Sequence, residues 1–256
     1  MNKLVTALLL SILLSSVAFA GARPQKAVFI LCYHTFMGNN PKSTIDFSVD
    51  EFRAQMREII TNGFRFVTYR DITNDTLTGV TNVLITVDDG FKSMLPVYSN
   101  VMKPMGIQPV IAIYPAIIGV GSAFMTWKDI VALANDGCEI ASHGYNHERI
   151  TADLLLTSPK VFSNEIYRSK KMLETNLGRP VTAFVYPYGV RSAVTVSNVR
   201  AAGYTCAFTI ERGAVLLPLS ENRDMHQLSR YMIITSKKDW ENIMTYMKAF
   251  VRRTNI

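Results

Sequence analysis

The residues of this chain that could do chemistry are two adjacent carboxylates, in Thr86-Val87-Asp88-Asp89-Gly90, and two imidazoles, in His143-Gly144-Tyr145-Asn146-His147. The run Asn82-Val83-Leu84-Ile85-Thr86-Val87 reads as a buried strand that ends at the carboxylates and a glycine. A second short apolar run, Cys138-Glu139-Ile140-Ala141-Ser142, ends at the imidazoles, which are spaced i, i+4. Strand ends are where an α/β sheet presents its ligands, so both pairs can converge on one crevice. One carboxylate with two histidines is a three-ligand set that leaves positions open for water and substrate. The second carboxylate stands beside that set, placed to act as a base. This is the outline of a metal-assisted hydrolase.

Elements that could position these groups alternate along the chain. Strands are predicted over residues 27–33, 64–69, 83–87, 108–114, 181–185, 204–209 and 228–234. Ser48-Val49-Asp50-Glu51 is a capping box opening a helix that runs to Asn62-Gly63. Residues 96–105 lie within or close a second helix, and Thr126-x-x-Asp129 opens a third that stops at Gly137. Helical spacing over 159–177 closes on Gly178, and a helix over 192–202 ends at Gly203. The last helix, 238–251, gathers Trp240, Ile243, Met244, Met247 and Phe250 on one face, with Arg252 and Arg253 beyond. Such a stripe suits packing against a barrel; a membrane-surface role is the alternative. The βα alternation implies an α/β fold, a parallel barrel-like sheet wrapped by helices, in a single domain.

The first twenty residues have the pattern of a signal peptide: Lys3, an apolar stretch over 4–14, and Ala18-Phe19-Ala20 before Gly21. The stretch is short for a membrane span. A mature chain of residues 21–256, exported to the periplasm or beyond and without a span, is expected. Hydrophobic residues make up 48% of the sequence, ample for one large core. Cys32, Cys138 and Cys206 each sit in an apolar run, and their odd number excludes full pairing, so buried free thiols are expected, with one disulfide the alternative in an exported chain. The formal net charge of +7, one less without Lys3, fits an anionic envelope or acidic polymer without identifying either. No basic run with interleaved aromatics points to nucleic acid.

Thr86-Val87-Asp88-Asp89-Gly90, His143-x-x-x-His147 and Tyr186-Pro187-Tyr188-Gly189, in that order and each after a strand, resemble the successive motifs of the polysaccharide deacetylases, the NodB-homology domain of carbohydrate esterase family 4. The opening Leu31-Cys32-Tyr33-His34 is similar to that of the subgroup acting on poly-N-acetylglucosamine. The resemblance implies a distorted (β/α) barrel over nearly the whole mature chain. It implies that Asp89, His143 and His147 bind a divalent metal, zinc first, with iron, cobalt or nickel also acceptable to that donor set. It implies Asp88 as general base and the backbone N–H of Tyr188 as a donor to the developing oxyanion. The leaving amine needs an acid, for which His34 is the first candidate and His226 the second. The implied activity is N-deacetylation of an N-acetylated polysaccharide.

The chain departs from the family pattern in three places, one of them the later Asp and Trp motif of the wider family, which neither Trp127 nor Trp240 supplies. Gly144 stands where many members carry Ser or Thr, and Ser142 is the candidate to compensate. Val185 stands where an arginine usually orients the catalytic aspartate, and Arg230, in Gln227-Leu228-Ser229-Arg230, is the candidate replacement from another strand. Rival functions are O-acetyl ester hydrolysis on the same fold and a non-catalytic, metal-containing glycan-binding protein.

Overall fold

The computed structural model describes residues 26–38 and 42–254; the expected signal peptide, 1–20, lies outside them. β1 (Lys26–Tyr33) leads to α1 (Val49–Thr61), opened by the expected Ser48–Glu51 capping box. β2 (Arg65–Phe66) is followed by α2 (Tyr69–Thr73) and β3 (Asn82–Val87). α3 (Met94–Val97) runs on through a π turn, Tyr98–Met102, and a 3-10 turn, Lys103–Met105, to β4 (Val110–Ile113). α4 (Trp127–Asn135) precedes β5 (Glu139–Ser142), and α5 (Ala152–Thr157) follows the histidine motif. α6 (Pro159–Ser163), a π turn over Asn164–Arg168 and α7 (Ser169–Leu177) form one continuous helical run. β6 (Ala183–Val185), α8 (Ala193–Ala201), β7 (Cys206–Phe208), β8 (Val215–Leu217), β9 (Tyr231–Met232) and α9 (Lys237–Thr254) complete the chain.

The sheet has the order β7-β6-β5-β4-β3-β1-β8, parallel except for β8, which runs antiparallel to the start of β1. It curls into the distorted barrel expected. Its seam is closed by the segment 228–232: Leu228 bridges to Phe208 beside β7, while Tyr231 and Met232 pair with Leu31 and Cys32 of β1. The predicted strand over 228–234 is therefore two short pairings with different neighbours. Strand alternation then decides which residues face the site. On β1, Phe29, Leu31 and Tyr33 pack outward under the helices, whereas Val28 and Ile30 fill the barrel interior. The same period sends Cys32 and His34 inward, and on β3 it sends Thr86 and Asp88 inward beyond Leu84.

One expectation needs correction. The strand predicted over 64–69 ends at Phe66, because Thr68 and Asp71 make a capping box that starts α2 at Tyr69. α5, capped by Thr151, and the antiparallel β8 lie in stretches to which the sequence assigned no element. α9 has its apolar face against the barrel: Trp240, Ile243, Met244 and Met247 are buried, and Trp240 Nε1 donates to Glu58 of α1 at 2.7 Å. All three cysteines are buried and free, as expected. Among the described residues no helix is long and apolar enough to cross a membrane.

Candidate metal centre and active site

Seven residues single out one crevice at the C-terminal ends of the strands. His34, Asp88, Asp89, His143, His147, Tyr188 and Arg230 line a cavity of about 310 Å³, with Ile45, Tyr186, Ile210 and Met232 completing its wall. Asp88 and Asp89 follow β3, His143 and His147 follow β5, Tyr188 follows β6, and Arg230 sits at the barrel seam. Among the described residues, three of the four non-glycine residues with positive φ are in this set: Asp89 at 72°, His147 at 65° and Tyr188 at 57°. Such backbone is costly for L-residues and persists where the surroundings over-determine it.

The side-chain atoms of Asp89, His143 and His147 that could ligate a metal form a compact triangle. His143 Nε2 and His147 Nε2 are 3.1 Å apart, and Asp89 Oδ1 is 3.5 and 3.4 Å from them. Ligands about 2.0–2.2 Å from one tetrahedral ion stand roughly 3.3–3.5 Å from each other, so the triangle has the size a zinc-type ion needs. Asp89 Oδ1 is buried and lacks a hydrogen-bond partner, which a metal would supply. His143 Nδ1 lies 2.8 Å from the Val185 carbonyl, so Nδ1 carries the proton and Nε2 is left as the ligand. The residues present fit a divalent metal.

The electrostatics sort the two imidazoles. Burial and the neighbouring His143 depress the His147 pKa to about 4, so this ring is neutral. Burial opposes protonation of His143 too, but its contact with Asp89 and the nearby Asp88 and Asp89 charges outweigh that and raise its pKa. Burial lowers the pKa of His34, whose Nδ1 is buried without a partner.

Asp88, 2% exposed, is held by a two-pronged arginine. Arg230 Nη1 donates to Oδ1 and Nη2 to Oδ2, both at 2.9 Å, and Nη1 also reaches Thr86 Oγ1 at 2.9 Å. Arg230 Nε donates to the Thr209 carbonyl at 2.9 Å. Burial would raise the Asp88 pKa, but Arg230 and then His143 outweigh it and hold the carboxyl well below the usual range. Arg230 thus supplies from the seam the charge that Val185 does not. Cys32, read in the sequence only as a buried thiol, donates to Asp88 Oδ2 at 3.3 Å.

Two expectations need revision. Ser142 makes no hydrogen bond within the histidine loop: its Oγ lies 2.7 Å from Ser169 Oγ and ties the residue before His143 to α7. Glu165 holds the loop instead, accepting from the backbone N–H groups of Tyr145, Asn146 and Glu148 at 2.9, 2.8 and 3.2 Å. A Cβ on Gly144 would stand 2.3 Å from Glu165 Oε2, so glycine is required by that close approach. His226 is neither a solvated loop residue nor a lining residue of the cavity. It is 5% exposed, with Nε2 2.9 Å from the Tyr204 carbonyl, because residues 225–228 hydrogen-bond along β7 and turn it away. Glu165 left one trace in the sequence, an acidic residue on the apolar face of the 159–177 pattern.

A family model described as polysaccharide deacetylase matches residues 77–207. The chain belongs to the polysaccharide deacetylase family. That match spans the carboxylate pair, both histidines and Tyr188 of this deacetylase-family protein; Arg230 lies beyond it. Solved structures share the fold. IcaB from Ammonifex degensii superposes with a TM-score of 0.71 at 22% identity, covering 87% of this chain and 97% of its own. The Streptococcus pyogenes deacetylase PplD, solved with acetate, gives 0.72 at 22% identity, covering 86% and 98%. A de-N-acetylase from Aggregatibacter actinomycetemcomitans gives 0.71 at 19% identity, covering 85% and 99%. No curated protein sequence matches the chain.

Proposed function

We propose that this polysaccharide deacetylase-family protein is an exported, metal-dependent hydrolase that removes N-acetyl groups from an N-acetylglucosamine-containing polysaccharide. The observation that carries the reading is the Asp89–His143–His147 triangle standing beside an ionised, arginine-held Asp88. A divalent ion, zinc first, would supply Lewis-acid polarisation of the amide carbonyl and of water.

Asp88 is the base. Its Oδ2 lies 3.9 Å from His143 Nε2, so it faces the metal-binding triangle and can take a proton from water there. Arg230 keeps the carboxylate ionised and oriented, at the cost of some basicity. The Tyr188 backbone, bent into the left-handed region beside His147, would direct its N–H toward the developing oxyanion. His34 is the acid: neutral at rest and close to Asp88, it takes up the proton that Asp88 removes from water and gives it to the leaving nitrogen. The apolar wall of Ile45, Ile210 and Met232 suits the acyl methyl and limits water. Poly-N-acetylglucosamine is the leading polymer, favoured by the Leu31-Cys32-Tyr33-His34 opening and by the likeness to a structure described as a de-N-acetylase.

The test is acetate release from partly acetylated glucosamine polymers by protein stripped of metal and reloaded with zinc or cobalt. Metal-dependent release is expected. Stoichiometric metal binding with no acetate from any N-acetylated polymer would shift the reading to O-acetyl ester hydrolysis or glycan binding.

A further inference from the structure

The loop between the two histidines is held by a carboxylate that reaches it from a different part of the fold. Glu165, fully buried, lies in the π turn between α6 and α7, and π turns inside helices recur at functional sites. Its Oε2 accepts from the N–H groups of Tyr145 and Glu148, and its Oε1 accepts from that of Asn146. These donors flank His147 on both sides in sequence. His147 has φ of 65°, a conformation that an L-residue leaves unless something holds it. The absent side chain of Gly144 makes the room that Oε2 occupies.

A second tie fixes the other end of the loop. Ser169 Oγ donates to the Glu165 carbonyl at 2.7 Å and so accepts from Ser142 Oγ, 2.7 Å away, in the residue before His143. The helical run therefore holds the segment 142–148 from both ends, through Glu165 and Ser169.

We propose that Glu165 is a positioning residue that sets metal affinity by holding His147 Nε2 in register with His143 Nε2 and Asp89 Oδ1. This rests on the reading of those three residues as metal ligands. Glu165 touches neither the metal triangle nor the cavity, so its effect passes through the backbone of the loop. Groups that orient metal ligands from outside typically change affinity 10–100-fold when replaced.

The experiment is zinc titration of the full mature protein against a competing chelator, with thermal melting of the metal-free forms alongside. Glu165→Gln removes an acceptor and sets an amide N–H against the loop's own N–H groups; its zinc Kd should rise 10–100-fold. Gly144→Ala approaches the same contact from the loop side, at a φ of 77° that alanine adopts only under strain, and should weaken zinc at least about tenfold. A Glu165→Gln protein that melts cooperatively but keeps a zinc Kd within about twofold of the parent would overturn the proposal. If that variant fails to fold, an unchanged Kd in Gly144→Ala does the same. Because Kd is read without turnover, a parent protein that binds zinc but releases no acetate sinks the deacetylase reading alone, whereas a parent that binds no zinc overturns this proposal.

Discussion

Arg230 and Asp88, 142 positions apart, meet at the barrel seam as a two-pronged ion pair with both contacts at 2.9 Å and the guanidinium fully buried. Removing one partner of such a pair leaves a charge that the interior cannot solvate. Arg230→Ala should cost about 3–5 kcal/mol of stability by urea unfolding. Arg230→Lys, which keeps the charge but loses the fork, should fold and lose most turnover. Parent-like stability in Arg230→Ala would mean that the pair is not formed.

The same pair predicts a pH dependence of stability. Asp88 is depressed in the folded state relative to about 3.9 in an unfolded chain. Its contribution is therefore fully present above that unfolded value and is lost as pH falls through the folded one. Urea midpoints measured from pH 7 down to pH 2.5 should fall less steeply in Asp88→Asn than in the parent. Parallel curves would remove Asp88 from the acid-labile set.

Metal uptake should release close to one proton per ion at pH 5.5. His147, with a pKa of about 4, is already neutral there, while His143, raised above its ordinary value, must give up its proton to ligate. Calorimetry in buffers of different ionisation enthalpy counts the protons. A count near two would place a charged His147 in the metal-free site.

Asp88→Asn should retain metal and lose turnover, because the amide cannot take a proton. Asp89→Asn and His143→Ala should lose metal as well. Metal content after dialysis and acetate release, measured on the same samples, separate the two classes. Parent-like rates in Asp88→Asn would rule out Asp88 as the base.

His34→Ala should reduce amide hydrolysis at least about a hundredfold, the range general-acid help supplies, and spare activated acetyl esters, whose leaving groups need no proton. Equal loss on both substrates would assign His34 to positioning rather than to proton delivery.

Much of this was legible in the chain itself. The apolar runs before Asp88 and His143, the capping boxes at Ser48 and Thr126, and the glycine stops after the helices are local signals, and each led to an element close to the one found. Tyr69 was misread because a local capping box overrode an apolar run. Strand β8 escaped because three residues pairing antiparallel at an edge leave no period long enough to see.

The sequence by itself determined the barrel and the placing of two carboxylates and two imidazoles at neighbouring strand ends, since strand alternation and side-chain chemistry act over neighbouring residues. Only the tertiary structure decided that Arg230 serves Asp88, that His226 turns away, and that Glu165 stands where Gly144 leaves room. Those relationships depend on where a closing seam and a helical run settle after packing, and nothing in the local spacing of the residues encodes that distance.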